Sequence, residues 1–246
     1  MVEIVVIVRD SNDFPWIKIF EENYELIKEE VLSLKSTTGF QPYRTPNWLY
    51  DTKAEDGAEG TDRGKWNLFY LYLHDIKFDD NCKKLPKTIE LIENVIPRHY
   101  HHAMISAMVP NTHIVKHYGP TNKKLRFHLP LLGVPGSNLR VADITHPLQA
   151  GKGYVFDDSF EHEAWHDGEH TRVILIADFW HPDLTDEEVK FFSLIQKAQM
   201  KYEKIMSEQN KDEDNFYNVI DKARGLLKDN TWWTVDNGEK YRVVND

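Results

Sequence analysis

The sequence is poor in cysteine and in long apolar runs. Cys82 is the single cysteine among 246 residues, which excludes an internal disulfide framework. The opening stretch, residues 2–8, is apolar apart from Glu3 and too short to cross a bilayer. It also lacks the basic start and the small-residue cleavage site of a signal peptide. We therefore expect a cytoplasmic protein without a membrane span.

Basic residues are also in the minority. Lysine and arginine number 30 against 40 aspartates and glutamates, which gives a net charge of -10, and no run of basic residues interrupts this balance. Nucleic acids and anionic membranes attract clustered cationic side chains. Neither is therefore an expected partner.

Apolar and aromatic residues, by contrast, are plentiful. They make up 41% and 12% of the chain, which is enough to bury a sizeable core and is unlike a disordered protein. We predict a single domain over residues 1–246. Its β core is expected at about 66–182, with a supporting segment of helix and strand at 1–65 and helices at 183–246.

Short runs of β-branched and aromatic residues, separated by glycine-containing turns, fill the middle of the chain. Many short strands at this spacing are typical of a mainly β protein, an antiparallel barrel or double-sheet jelly roll, here with flanking helices. We expect the last two strands to form a hairpin around Asp167-Gly168. The predicted strands are residues 4–8, 66–73, 104–108, 112–118, 125–132, 139–144, 154–156, 161–166 and 171–179.

Apolar residues at helical spacing and helix-end signals predict four helices. They lie at residues 21–35, 88–96, in a stretch after Pro182, and at 215–227. Thr185 and Glu188 have the spacing of a capping box at the start of the third. This helix carries one apolar stripe, which we expect to pack against the sheet. The stripe comprises Val189, Phe192, Ile195, Ala198, Tyr202 and Ile205.

Few of the twelve histidines have positions that suggest chemistry. His99, His101 and His102 cluster in a segment that is typical of an exposed turn. His117 differs, because it is two residues from Gly119 on a predicted strand, so both positions face the same way. Arg126 and His128 repeat that spacing on the next strand.

Arg172 interrupts an otherwise apolar strand, ten residues after His162. A buried guanidinium without an anion costs several kcal/mol, so its presence predicts an anionic partner. A three-residue loop between the two strands of the predicted hairpin would put His162 and Arg172 on the same face, whereas a two-residue loop would not.

Two inward-facing histidines near an inward-facing arginine suggest a metal ion beside a carboxylate ligand. Imidazole suits Fe(II), and two histidines with one carboxylate leave coordination positions open. Here Gly119 stands where that carboxylate often lies. A polar pocket lined by His117 and His162 without a metal remains an equal alternative on spacing alone.

Several linked motifs, in one order, resemble the aspartyl/asparaginyl β-hydroxylase family. Weaker similarity extends forward to Trp66 and to Phe14-Pro15-Trp16, so the resemblance spans roughly residues 14–186. The motifs are Ser106 to Pro110, Thr112 to Ile114, His117 to Asn122, Leu125 to Leu129, Gly151-Lys152, Phe156 to Glu163, Arg172 and Asp178 to Pro182.

The resemblance implies an oxygenase domain with a double-stranded β-helix (jelly roll, cupin-like) that depends on Fe(II), 2-oxoglutarate and dioxygen. His117 and His162 match the iron ligands, and Gly119 matches the glycine that replaces the third ligand in the animal enzymes. Asp158, four residues before His162, is expected to join the two histidines as a catalytic residue by accepting a hydrogen bond near iron-bound water.

The same resemblance implies a set of cosubstrate contacts. Arg172 and Ser106 match the residues that hold the far carboxylate of 2-oxoglutarate. The other matched contacts are Trp66, Arg126 and His128. An arginine fork and a hydroxyl donor are suited to a carboxylate.

The implied reaction is hydroxylation of a C–H bond with decarboxylation of 2-oxoglutarate to succinate, most directly at the β-carbon of an Asp or Asn residue in a peptide or protein. Alternatives are the same chemistry on a free amino acid or a lipid, halogenation at the vacant ligand position, a metal-dependent isomerase, and a non-catalytic jelly-roll binding module. Members of the family have a further basic residue before the Leu-Arg-x-His motif, and this chain has Lys124 at that place.

Overall fold

Two antiparallel β-sheets face each other, and helices cover the outer side of the larger sheet. The computed structural model describes residues 8–44, 60–211 and 215–236. Its strands, in chain order, are β1 (Val8–Arg9), β2 (Gln41–Pro42), β3 (Thr61–Arg63), β4 (Trp66–Leu73), β5 (Ile76–Lys77), β6 (His99–Met108), β7 (Thr112–His117), β8 (Lys124–Leu132), β9 (Ser137–Val141), β10 (Ile144–Pro147), β11 (Tyr154–Phe156), β12 (His162–His166) and β13 (Arg172–Trp180).

The strands alternate between the two sheets from β6 to β9 and again from β10 to β13, while β9 and β10 form a hairpin in the smaller sheet. Within the described ranges the larger sheet has the order β1-β11-β8-β13-β6-β4-β2, with β5 paired to β4. The smaller sheet has the order β10-β9-β12-β7-β3. Two facing antiparallel sheets whose consecutive strands cross between them form a jelly roll, or double-stranded β-helix. The predicted mainly β fold with flanking helices is confirmed.

The helices lie before, within and after the strands. The capping box predicted at Thr185 is present, because the Thr185 hydroxyl accepts from the Glu188 backbone and the Glu188 carboxylate accepts from the Thr185 backbone. No helix in the described part of the chain is long and apolar enough to span a membrane. The helices are α1 (Ile17–Glu22), α2 (Tyr24–Ser33), α3 (Asp79–Cys82), α4 (Pro86–Val95), α5 (Asp186–Gln209) and α6 (Phe216–Ala223), with a 3-10 turn at Leu34–Ser36.

Both faces of the larger sheet are covered, which explains the unbroken apolar run of β13. Val173 and Leu175 pack into the core between this sheet and the helices. Ile174 and Ile176 pack into the core between the two sheets. Because side chains alternate along a strand, Arg172 at the start of β13 shares the inner face with the second pair.

The predicted hairpin between the strands at 161–166 and 171–179 is wrong. β12 pairs with β7 and β9 in the smaller sheet, whereas β13 pairs with β6 and β8 in the larger one. The loop after His166 therefore crosses from one sheet to the other, since a strand that is apolar on both faces is stable only at the centre of a covered sheet.

Two further expectations are corrected. His99, His101 and His102 lie on β6 rather than in an exposed turn. The predicted apolar stripe of α5 packs against the sheet only in part, because Phe192 contacts Trp180 of β13 whereas Ile195, Tyr202 and Ile205 face outward. The predicted strand at 4–8 lies outside the described residues except for Val8, which is in β1.

Candidate active site

A pair of histidines lies at one end of the paired strands β7 and β12 of the smaller sheet. His117 ends β7, His162 begins β12, and the two are directly opposed partners in the strand pairing. Their ring centroids are 4.0 Å apart. The Nδ1 of His117 donates to the Val115 carbonyl at 2.8 Å, and that of His162 donates to the Phe160 carbonyl at 2.9 Å. Each backbone acceptor selects the tautomer in which Nε2 carries the lone pair, which is the form that binds a metal.

Burial keeps both rings in this neutral form. It lowers the pKa of His117, and it lowers the pKa of His162 to about 3, with a further contribution from the neighbouring His117. A neutral imidazole is a ligand for Fe(II) and similar ions. The pair can therefore coordinate a metal without first losing a proton at neutral pH.

Asp158 occupies the space where a side chain at position 119 would lie. A Cβ atom built on Gly119 would be 2.7 Å from both carboxylate oxygens of Asp158, and the Gly119 amide donates to the Asp158 carbonyl at 2.6 Å. Only glycine fits this close approach. The Asp158 carboxylate, which comes from another loop, thus fills the volume that a side chain at position 119 would need.

Arg172 lies on the inner face of the larger sheet and is 2% exposed. Its Nη2 donates to the Ser106 hydroxyl at 3.4 Å, its Nε has no hydrogen-bond partner, and none of the described carboxylates forms an ion pair with it. Burial lowers the pKa of Arg172 to about 9. An uncompensated buried guanidinium is a site for an anion.

Trp66 completes this anion site from β4. Its indole Nε1 donates to the Ser106 hydroxyl at 3.0 Å, and its ring stacks on Tyr43 at 4.2 Å. The Ser106 oxygen accepts from both Trp66 and Arg172, so its own proton is left to be donated to a ligand.

His128 lies on the same inner face, beside the histidine pair. Phe156 contacts it edge-on at 5.0 Å and contacts His162 at 5.6 Å. His128 is 8% exposed, and neither ring nitrogen has a hydrogen-bond partner among the described residues. Burial and the nearby charges of Arg126 and Arg172 lower its pKa. Two unpaired buried nitrogens are costly unless a ligand satisfies them.

Arg126 is placed differently from the other predicted cosubstrate contacts. Its guanidinium forms a two-bond pair with Asp178, at 2.8 and 2.9 Å, and approaches Asp158 at 3.3 Å. Burial acts against its charge, but the carboxylates of Asp178 and Asp158 outweigh burial and raise the pKa of Arg126. A direct contact between Arg126 and a cosubstrate stays a prediction.

Three residues of this network were missed as site residues in the sequence. Lys124 Nζ bridges Asp158 at 2.7 Å and Asp178 at 3.0 Å, and His102 Nδ1 contacts Asp178 at 2.9 Å. Asp178 carried the same signal as Arg172, a charge within the apolar β13 strand. His102 has the parity of Ser106 on β6, which would have placed it on the inner face.

No group of three or more histidine, cysteine or acidic side chains is arranged to hold a metal within the described ranges. Two histidines are therefore the protein ligands that the site offers. The Arg172 Nε and the two His128 ring nitrogens, which lie on the same inner face of the sheet without hydrogen-bond partners, are what an anionic chelating cosubstrate would satisfy. The residues present thus fit Fe(II) with 2-oxoglutarate.

Comparison with known families agrees with the motifs. The model of the aspartyl/asparaginyl beta-hydroxylase family matches residues 21–182. The chain belongs to this family. The mouse aspartyl/asparaginyl beta-hydroxylase is 36% identical over 185 residues, which is 73% of this chain and 23% of that protein.

Another relative of this hydroxylase family is the ornithine lipid ester-linked acyl 2-hydroxylase of Rhizobium tropici. It is 32% identical over 179 residues, covering 71% of this chain and 60% of that protein. The chain therefore spans less than two thirds of the length of either relative. Among solved structures, a 2OG-Fe(II) oxygenase-family oxidoreductase from Burkholderia pseudomallei has a TM-score of 0.47 at 11% identity, covering 67% of this chain and 91% of that chain.

Proposed function

We propose that this protein is an Fe(II)- and 2-oxoglutarate-dependent dioxygenase that hydroxylates the β-carbon of an Asp or Asn residue in a peptide or protein. The observation that carries the proposal is the buried Arg172, which lacks a carboxylate partner among the described residues and lies on the sheet opposite the His117–His162 pair. A metal site on the smaller sheet and an anion site on the larger sheet would thus both face the space between the two sheets.

The chain's own residues supply binding and orientation. His117 and His162 would hold Fe(II) through Nε2, while Arg172 and Ser106 would hold the far carboxylate of 2-oxoglutarate. When bound, Fe(II) with 2-oxoglutarate and dioxygen supplies the oxidation, in which 2-oxoglutarate is converted to succinate and carbon dioxide and a C–H bond is hydroxylated. The buried, apolar walls exclude water from the reacting atoms.

Asp158 would position a water near the iron rather than bind the iron itself. Its carboxylate is 1% exposed and is held by Lys124. Burial tends to raise its pKa, but Lys124 and Arg126 outweigh burial and lower it, so Asp158 stays an acceptor. An ionised acceptor beside the vacant third ligand position supports this role.

Titration of 2-oxoglutarate into the anaerobic, Fe(II)-loaded protein tests the proposal through the visible charge-transfer band of a chelated keto acid. We expect a band in the wild type, no band in His162→Ala, and a band that needs far more 2-oxoglutarate in Arg172→Ala. Arg224→Ala is the matched control, because Arg224 is an exposed arginine. No band in the folded, iron-loaded wild type would contradict the proposal.

A second candidate is hydroxylation of a lipid acyl chain by the same chemistry. It is favoured by the Rhizobium relative, which this chain covers over 60% of its length, compared with 23% for the mouse β-hydroxylase. Incubating the iron-loaded enzyme separately with Asp-containing peptides and with an amino-acid-headed lipid distinguishes the two. The true substrate gains the mass of one oxygen atom and couples to succinate formation.

A further inference from the structure

The outward face of α5 is apolar although nothing in the described chain covers it. Val189, Phe192 and Met200 turn toward the body of the protein. On the opposite side, five large side chains are between 43% and 66% exposed. They are Phe191, Leu194, Ile195, Tyr202 and Ile205.

Four lysines line one edge of this apolar stripe. At 3.6 residues per turn, the five apolar side chains occupy an arc of about 100°, and the lysines occupy the adjoining arc on one side. From Lys190 to Lys204 every exposed charged residue is a lysine, because Glu203 is half-buried on the inner side. Exposed carboxylates lie at the two ends of the helix, and two of them, Asp186 and Glu208, are on the lysine edge. The lysines are Lys190, Lys197, Lys201 and Lys204.

The helix is held firmly from its inner side, so the exposed stripe is not the result of a detached helix. The Phe192 ring stacks on Trp180 at 6.3 Å, and Lys123 Nζ lies 4.1 Å from the centre of that ring. Gln196 Nε2 donates to the Tyr100 carbonyl at 3.4 Å. The capping box at Thr185 secures the first turn.

We propose that α5 docks this protein on an anionic lipid surface, with the apolar stripe inserted among the lipids and the lysine row facing the headgroups. An amphipathic helix with aromatic and aliphatic side chains on one side and lysines along its edge binds membranes in this manner. The row is a local cationic surface on a protein whose net charge is -10.

Charge complementarity favours lipid over a second copy of the chain. In an antiparallel pair of α5 helices the same edges meet, which would place lysine row against lysine row. In a parallel pair the lysine row would meet the edge that carries Gln199 and Met206, where no exposed carboxylate lies between Val189 and Ser207. In the antiparallel pair only Lys190 would approach a countercharge, Glu208 near the far end of the other helix, whereas an anionic bilayer faces all four lysines.

This site revises the expectation that an anionic membrane is not a partner. The four lysines are separated by seven, four and three positions in the sequence and so form no basic run. Only the winding of the helix brings them onto one edge.

Vesicle co-sedimentation of the whole protein tests the proposal. We expect binding to phosphatidylcholine vesicles that contain about 30% phosphatidylglycerol, weakening as salt rises, and little binding to phosphatidylcholine alone. The variant K190Q/K197Q/K201Q should bind at least tenfold more weakly. The matched control K18Q/K83Q/K87Q removes the same charge from exposed lysines elsewhere and should bind like the wild type.

A second pair of variants tests the apolar contribution. F191S/I205S should also lose at least tenfold in vesicle binding, while I144S/L226S, which changes two exposed apolar residues outside α5, should not. All four positions are exposed, so folding is expected to persist, and circular dichroism checks it. These measurements need neither iron nor 2-oxoglutarate, so their outcome is separate from that of the oxygenase proposal.

Three outcomes would overturn the proposal. The first is a wild type that does not bind anionic vesicles. The second is a loss of binding in the control variants as large as in the α5 variants. The third is a wild type that forms a dimer by sedimentation velocity without vesicles and that F191S/I205S converts to monomer, which would assign the stripe to a second copy.

Discussion

Arg126 and Arg172 lie on neighbouring strands of the larger sheet and point to the same inner face, yet their surroundings are opposite. Arg126 forms two hydrogen bonds with Asp178 and approaches Asp158. Arg172, which is more deeply buried, contacts only the Ser106 hydroxyl within hydrogen-bond distance among the described residues. The difference shows that one sheet holds both an arginine compensated by carboxylates and a buried arginine with no carboxylate partner among the described residues.

The balance of charges explains why the two differ. Lys124 and Arg126 face Asp158 and Asp178, so two cations and two carboxylates neutralise one another in the interior. Burial alone would disfavour each of these charges. Arg172 lies outside this group, and its charge would be compensated only by an anion that is not one of these side chains.

The largest expected effect is on stability. Arg126→Ala leaves Asp178 and Asp158 buried with reduced compensation, and we expect it to lower the free energy of unfolding by about 3–5 kcal/mol. Arg172→Ala removes an unpaired buried charge together with the packing of its side chain, and because these two effects oppose each other we expect the free energy of unfolding to change by less than about 1 kcal/mol. Urea unfolding of both variants at pH 7 measures the contrast, and equal destabilisation would abolish the distinction between them.

The second prediction concerns the ligand. Because Arg172 is the unpaired charge, Arg172→Ala should weaken 2-oxoglutarate binding at least ~100-fold, which is about 2.7 kcal/mol. At a concentration one hundred times the Kd, 2-oxoglutarate stabilises the iron-loaded wild type by about 2.7 kcal/mol through mass action. The same concentration should barely shift the Tm of the variant. An undiminished shift would mean that the anion binds elsewhere.

The third prediction extends the comparison to two histidines of β6. His102 contacts Asp178, whereas His99 has a buried Nε2 without a hydrogen-bond partner in the described chain. Burial lowers the pKa of His99 to about 3 from an ordinary value of 6.5. The unfolded chain therefore takes up this proton first as the pH falls, so the fold loses stability from about pH 6.5 downward and keeps it above.

His99→Asn removes that proton uptake. We expect the fall in unfolding free energy between pH 6.5 and 5 to become shallower by up to about 1.4 kcal/mol per pH unit. Urea unfolding at pH 8, 6.5 and 5 measures it. The difference between the two proteins should change by only about 0.4 kcal/mol between pH 8 and 6.5, and an unchanged slope at low pH would refute the assignment.

The smallest expected effect is at Ser106. Its hydroxyl accepts from Trp66 and Arg172, so one O–H remains for the bound carboxylate. Ser106→Ala should weaken 2-oxoglutarate binding about fivefold, close to 1 kcal/mol, with kcat almost unchanged at saturation. Steady-state kinetics in 2-oxoglutarate check it, and a large fall in kcat would indicate that Ser106 acts on the reacting atoms instead.

Residue types and short-range spacing account for the part of the site that could be predicted. The two-residue spacing of Arg126 and His128, the charge within β13, and the linked motifs are together enough to single out the histidine pair and the anion site. Which strands pair is harder to predict from the sequence. The loop between β12 and β13 is as short as that of a hairpin, and yet the chain changes sheet there.

The amino-acid sequence by itself determined the local structures: the alternation of β13, the capping box at Thr185, and the family motifs around His117 and His162. Only the tertiary structure decided which of these meet. It opposed His117 to His162 and filled the space at Gly119 with Asp158. It gave Arg126 two carboxylates and Arg172 none among the described residues, and it turned the exposed apolar side chains of α5 outward. Periodicity fixes which residues share a face of one element, whereas the partner of that face depends on contacts between segments far apart in the chain.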